Sequence, residues 1–259
     1  MSAAAIAPLD AERAHVAQLI RELTPEEWAA PSGCDGWRVQ DVVVHMACVF
    51  HAIADPSTIE RSTSDKAEVN AEIPVQARRD LQPAAVIDEY DTWSAAGVDA
   101  LRGLQEPGIG ETVVPLGDLG EQPLHLIANA IVFDHYCHLR HDIGATIERA
   151  AALPQDPEAL AATLEWMFAG LPQMCADALR GSDNGVNLVL EGPGGGSWAL
   201  RPGAPLWTVE AGVVEDLPTA TSTAHDFVSW GTKRADWRDA GVRLDDDRAA
   251  PTLDAINVI

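Results

Sequence analysis

The stretch Asp134-His135-Tyr136-Cys137-His138-Leu139-Arg140-His141-Asp142 follows directly on the apolar run containing Leu126, Ile127, Ala130, Ile131, Val132 and Phe133. Apolar residues at this density, running on into the polar cluster, predict one long helix from about Pro123 to Ala150, mostly buried. At roughly 100° per residue, His138 lies about 40° from Asp134, His141 about 20° on the other side, and Asp142 about 80° away. Four ligand-capable side chains therefore share one arc, with His135 near its edge. One reading is a solvated face with an Arg140–Asp142 or His–Asp pairing. The apolar lead-in argues for burial instead, and buried charge needs a partner or a metal.

A second histidine stands on an apolar face. In Asp41-Val42-Val43-Val44-His45-Met46-Ala47-Cys48 the neighbours of His45 at three and four positions are Asp41, Val42, Cys48 and Val49. A lone histidine there is ordinarily a hydrogen-bonded core residue. Opposite a helix carrying Asp134 and His138 it completes a set of two imidazoles and one carboxylate with coordination positions left open. That is the composition of catalytic zinc and non-haem iron sites, whereas structural zinc wants four ligands, usually thiolates.

Outward from these two segments, the first two thirds read as helix. Helical spacing spans 5–23. Thr24-Pro25-Glu26-Glu27 is a capping box opening a short turn around Trp28. Loop residues fill 31–36, a helix runs from Val39 to Ala54, a polar and loosely held helical segment covers 59–80, and a helix covers 83–103. The stretch 107–121 reads as a long connection. A helix from Pro157 to Arg180, with a kink at Gly170-Leu171-Pro172, ends the helical part. After the linker Ser182-Asp183-Asn184-Gly185 the texture changes to short strands at Val186–Leu190, Ser197–Leu200 and Leu206–Glu210, the first two joined through Gly192-Pro193-Gly194-Gly195-Gly196. Thr221–Gly231 reads as helix, Val242-Arg243-Leu244 as an edge strand and Ala249–Ile256 as a closing helix. The expected fold class is α+β: a helical bundle over 1–182 and a small α+β domain over 183–259.

The chain has 259 residues and a formal charge of −23, with 47% hydrophobic and 22% charged residues. Such a composition supports a folded core and excludes wholesale disorder. Clustered cations for phosphate binding are missing, which argues against nucleic acid. No apolar run is long enough for a membrane span, and the N-terminus lacks the basic start of a secretory signal, so the cytoplasm is the expected location. Cys34, Cys48, Cys137 and Cys175 stand far apart, as small buried hydrophobes would, and Cys137 draws notice through its neighbours.

Leu23-Thr24-Pro25-Glu26-Glu27-Trp28, then Cys34-Asp35-Gly36-Trp37-Arg38-Val39, then Asp41-Val42-Val43-Val44-His45, resembles the opening of the mycothiol-dependent maleylpyruvate isomerase family, within the wider DinB-like four-helix metalloproteins. The acidic residue four positions before a histidine on a later helix looks like Asp134 and His138. His225-Asp226-Phe227-Val228-Ser229-Trp230-Gly231-Thr232-Lys233-Arg234 is similar to the end of the family's C-terminal domain. The resemblance covers nearly the whole chain, with 59–121 its vaguest part.

It implies an N-terminal DinB-like four-helix bundle holding a divalent metal, usually zinc, on His45, Asp134 and His138. It also implies mycothiol as thiol cosubstrate, acting on a small electrophilic substrate such as an unsaturated carboxylate in isomerase or S-transferase chemistry. Arg234 matches the position of an arginine near the family's substrate, and caps the preceding helix equally well. Where the family's bundle carboxylate is commonly Glu, this chain has Asp134, one methylene shorter, so His141 or Asp142 stands as an alternative third ligand. His135 and His141 exceed the pattern, as outer-shell groups, general bases or surface residues. The rival readings are a non-catalytic metal-binding or stress-response bundle and a metal-dependent hydrolase. A homodimer is left open.

Overall fold

In the computed structural model, which describes residues 5–60 and 62–258, the chain divides into two compact units, Met1–Pro154 and Gln155–Ile259. The first begins with α1 (Ile6–Glu22), which turns at Leu23 into the short α2 (Pro25–Ala29). The capping box is formed as its residues dictate: Glu27 N–H donates to Thr24 Oγ1 (3.2 Å), and Thr24 N–H donates to Glu27 Oε2 (2.8 Å). Arg149 grips the same Glu27 carboxylate, and these hydrogen bonds bring its pKa down to about 2. The helices α3 (Val39–Ala54), α4 (Ala67–Ala77) and α5 (Pro83–Gly103) follow. The last two have Pro inside or at their start. Val39, Val42, Val43, Met46 and Phe50 of α3 are fully buried. Phe50 packs over Gly97 of α5, where an added Cβ would meet its ring at 2.5 Å, so the absence of a side chain sets how closely α3 and α5 approach.

Only part of 59–80 is helical. Its first third is rich in short polar side chains that bond to backbone nearby, as Ser62 Oγ accepts from Ser64 N–H and Ser64 Oγ from Lys66 N–H, and such bonds compete with a helix. Arg61 lies outside the described residues. The expected connection at 107–121 carries a small hairpin, β1 (Val113–Pro115) with β2 (Glu121–Pro123), that runs into α6 (Ile127–Cys137). α1, α3, α5 and α6 pack against one another as the bundle.

The helix expected from Pro123 to Ala150 is not continuous. Pro123 belongs to β2, and after Cys137 the backbone widens into a π turn over His138–Ile143 before α7 (Glu148–Ala151). The cause is tertiary. Arg140 is drawn into the core by a two-pronged pair with Glu12 of α1 (Nη1–Oε2 2.7 Å, Nη2–Oε1 2.9 Å) and by the Pro154 carbonyl, reached from Nη2 at 2.6 Å. Both side chains are wholly shielded from solvent. The guanidinium also lies 3.9 Å above the Tyr136 ring.

The second unit opens with α8 (Pro157–Met174), capped by Asp156 and containing Pro172; it is interrupted at Cys175, before α9 (Ala176–Leu179). The unit boundary lies before this helix, rather than at the change of sequence texture near 182, because α8 builds the core of the sheet unit. Phe168 stacks on Trp198 (4.3 Å) and on Phe227 (5.3 Å). The sheet contains β3 (Val186–Glu191), β4 (Gly196–Arg201), β5 (Thr208–Ala211), β6 (Thr219–Thr223) and, after α10 (Ala224–Gly231), β7 (Arg243–Leu244), with α11 (Ala250–Ala255) closing the chain. Strand order is β5-β4-β3-β6-β7, with β3 and β6 parallel and the other pairs antiparallel. β6 occupies the start of the segment expected to be helical. Its Thr-Ala-Thr-Ser alternates half-buried and buried positions, and its last residue, the exposed Thr223, caps α10 by accepting from Asp226 N–H.

Candidate metal centre

His45 is placed by the way α3 begins. Asp41, fully buried one turn earlier, accepts from Arg38 N–H (2.9 Å) and takes the Arg38 guanidinium on both oxygens and Arg79 on one. Burial raises the Asp41 pKa, but the Arg38 hydrogen bonds and both arginine charges outweigh it and hold the carboxyl below its ordinary value. A charged N-terminal turn so fixed sets the rotation of α3 and turns His45 toward α6.

There the imidazole meets Asp134 and His138. His45 Nε2–H donates to Asp134 Oδ1 at 2.9 Å, and His138 Nε2 stands 3.4 Å from the same oxygen. The two rings meet edge to face at 4.9 Å. One donor atom from each of the three residues falls in a cluster no wider than 4.8 Å. All three side chains are 11–16% exposed, so the cluster sits at the mouth of the bundle, shielded but reachable. Asp134 Oδ2 is shielded from solvent and makes no hydrogen bond among the described residues, although His135 Nδ1 lies 3.3 Å away. Burial would raise the Asp134 pKa, yet the charges of His138 and His45 prevail and hold it well below the carboxylate range. For His138 the order is the same with opposite sign: burial disfavours its charge, and Asp134, with hydrogen bonds to Asp134, Asp142 and Cys34, lifts its pKa well above the usual imidazole value. Two imidazoles, a carboxylate kept anionic and a carboxylate oxygen without a hydrogen bond among the described residues are a donor set that a divalent cation fits.

The other candidates separate. Asp142 lies on the far edge of His138, whose Nδ1–H donates to Asp142 Oδ2 at 2.7 Å. His141 belongs to neither cluster of donor atoms found among the described residues. His135 is fully buried behind the site, its Nδ1–H donating to the Ile131 carbonyl and its Nε2 accepting from Tyr90 Oη, both at 3.1 Å. Cys137 is buried, and the thiol that reaches the cluster is Cys34, half-buried and 3.9 Å from His138 Nδ1. Arg234 lies exposed in the second unit, past the end of α10, its N–H donating to the Ser229 carbonyl.

Cys34 belongs to a loop built to lie against the π turn. Ser32 N–H and Oγ both donate to the Trp37 carbonyl, Cys34 N–H donates to Ser32 Oγ, and Gly33 N–H donates to the Asp142 carbonyl at 2.9 Å. Trp37 lies tilted over His45 at 5.3 Å and donates from Nε1 to Glu72 of α4. A Cβ on Gly33 would stand 2.9 Å from Asp142 Oδ1, 3.0 Å from its Cα and 3.1 Å from the His141 carbonyl. Two of those atoms are backbone and cannot step aside. Gly33→Ala should therefore cost about 1–3 kcal/mol of stability, read by denaturant unfolding, as the loop is levered off the π turn. The sequence signal for this loop is a cysteine between two glycines just ahead of the helix bearing His45.

Comparison with solved structures finds the mycothiol-dependent maleylpyruvate isomerase at 15% identity and a TM-score of 0.56, covering 93% of this chain and 91% of that one. A histidine-to-alanine variant of the mycothiol-dependent maleylpyruvate isomerase matches over the same shares at 14% identity and a TM-score of 0.52. These likenesses establish the fold. No curated protein matches the sequence. The model of the mycothiol maleylpyruvate isomerase N-terminal domain family matches residues 9–144, more than half of the chain and the whole of the cluster just described, and the chain belongs to that family.

Proposed function

We propose that this protein is a metal-dependent enzyme that uses a small thiol, mycothiol, as a nucleophile toward a small electrophilic substrate such as an unsaturated carboxylate. The observation that supports it most directly is the convergence of His45, Asp134 and His138 around one point, with Asp134 Oδ2 left without a hydrogen bond. His45, Asp134 and His138 would hold a divalent cation there, zinc by the character of the donors, and its charge would lower the pKa of a thiol brought beside it, so that thiolate would be present at neutral pH.

The chain's own groups do the rest. His45 and His138 supply neutral lone pairs and Asp134 supplies one negative charge, which leaves net positive charge to attract an anionic sulfur. Asp142 holds the Nδ1 proton of His138, so that Nε2 is the free nitrogen. Trp37 walls the His45 side. The thiolate sulfur adds to one carbon of an activated double bond, and the electron pair moves onto the conjugated carbonyl. Rotation about the resulting single bond and expulsion of the thiolate give the isomer. Protonation of the adduct instead leaves the thiol attached, which is S-transfer.

The test is a panel of electrophiles assayed with mycothiol, following both cis–trans isomerisation and conjugate formation. The wild type should turn over at least one member, and His45→Ala should abolish that turnover while its circular dichroism stays unchanged. Metal-loaded wild type that is inert toward the whole panel refutes the enzyme reading.

A further inference from the structure

His138 presents its two ring nitrogens to two different sets of donors. Nε2 faces His45 and Asp134. Nδ1 points away from them, 2.7 Å from Asp142 Oδ2 and 3.9 Å from Cys34 Sγ. The donor atoms of Cys34, His138 and Asp142 lie within 4.8 Å of one another, as those of the first set do. Around a tetrahedral ion with bonds of about 2.0–2.3 Å, donors stand roughly 3.3–3.8 Å apart. The 2.7 and 3.9 Å on this edge straddle that range, and the first set has one separation below it, 2.9 Å, and one inside it, 3.4 Å. The second set is also braced. Asp142 is buried on the π turn, and the Cys34 loop is tied to it by Gly33 N–H on the Asp142 carbonyl. Cys34 is half-buried, so its thiol is open to an incoming ion.

We infer that Cys34, the Nδ1 edge of His138 and Asp142 form a second metal position, selective for thiophilic cations, that shares His138 with the first position and excludes simultaneous occupancy of it. A soft sulfur donor is what separates the two: the His45 set offers only nitrogen and oxygen, while a thiolate favours cadmium or copper(I). On binding, the Cys34 thiol releases its proton to solvent as the sulfur–metal bond forms. Exclusion follows from the ring. A neutral imidazole carries one N–H, so ligation through Nε2 leaves the proton on Nδ1, given to Asp142. Ligation through Nδ1 leaves it on Nε2, facing Asp134 Oδ1. A thiophilic ion on the second position thus takes away a ligand of the first.

The second position stands on its own donors, and only the exclusion rests on the function proposed above. Cadmium is the probe, titrated into the full chain with a phosphine reductant while the ultraviolet thiolate-to-cadmium charge-transfer band is recorded. Wild type and His45→Ala should both develop the band, the latter reading the second position with the first disabled. Cys34→Ser should lack it although Cys48, Cys137 and Cys175 remain, and Asp142→Asn should bind cadmium at least about 10-fold more weakly. Cadmium should release zinc from the wild type and not from Cys34→Ser. A band that persists in Cys34→Ser, or cadmium affinity unchanged in His138→Ala, overturns the assignment. So does zinc and cadmium held together at full occupancy. Cadmium NMR of the wild type reads the donor atoms without any substitution: a resonance shifted by one sulfur supports the site, and one typical of nitrogen and oxygen donors alone refutes it. A wild type that shows the band yet never holds zinc would sink the proposed function and leave this position standing.

Discussion

Arg140→Ala should lower the unfolding free energy of the first unit by about 3–5 kcal/mol, the largest stability loss expected from removing any single charge in this chain. Glu12 and Arg140 are both fully shielded, and each satisfies the other through two hydrogen bonds. Removing the guanidinium leaves a carboxylate in the core with only His15, 3.7 Å away, to answer it. It also strips the Pro154 carbonyl of its donor. The loss arises from the stranded charge and not from any large net worth of the pair, so Glu12→Leu combined with Arg140→Met should recover most of it. Urea unfolding of the two single variants and the double variant reads this directly, and a double variant no better than the singles would show that the pair itself stabilises. The pH dependence has a definite sign. Burial raises the Glu12 pKa, but the Arg140 hydrogen bonds and charge, with His15 nearby, bring it below its ordinary value. A carboxylate depressed in the folded state contributes stability above its unfolded pKa of about 4.3. That stability should disappear as pH falls from there through the folded value, and the double variant should be insensitive over the same window.

This pair also explains why the sequence predicts a continuous central helix where the structure has a broken one. From Leu126 to Asp142 nothing in the sequence interrupts an α-helix, and residue spacing correctly puts Asp134 and His138 on one face. The π turn beginning at His138 depends on an arginine captured by a glutamate 128 residues away. Periodicity carries no trace of such a partner. Features set by near neighbours are legible: the Thr24 capping box, the start of α3, the glycine-rich hairpin between β3 and β4. Features set by distant contacts are not. Thr219–Thr223 forms a strand because β3 lies alongside it in parallel register, and α8 belongs with the sheet because Phe168 lies between Trp198 and Phe227. The candidate centre is legible in its three donors, since His45 and the Asp134–His138 spacing lie on two predictable helices. Its surroundings are not, because Cys34 reaches His138 across 104 residues through a loop whose path is set by Gly33 and Asp142.

Metal content is where the largest functional effects should fall. Protein purified without a histidine tag should carry about one equivalent of divalent metal, zinc by the donor set, measured by plasma mass spectrometry. His45→Ala and His138→Ala each remove one nitrogen from a three-donor set and should weaken binding by more than the roughly 10- to 100-fold typical of losing an outer partner. After dialysis both should therefore be nearly metal-free. His51→Ala is the matched control: its ring stacks on Trp93 at 3.6 Å and its Nε2 bonds Thr58 Oγ1, so the change should cost packing and leave metal bound. Asp134→Asn is the sharper experiment. It keeps the size of the side chain and an oxygen near His45 but removes the charge that draws both imidazoles, so metal should be lost while the fold survives. Should Asp134→Asn retain its metal and Asp142→Asn lose it, the carboxylate ligand would be the one on the Nδ1 edge of His138. The ion would then sit where Cys34 can reach it, and the two positions inferred from the geometry would exchange roles.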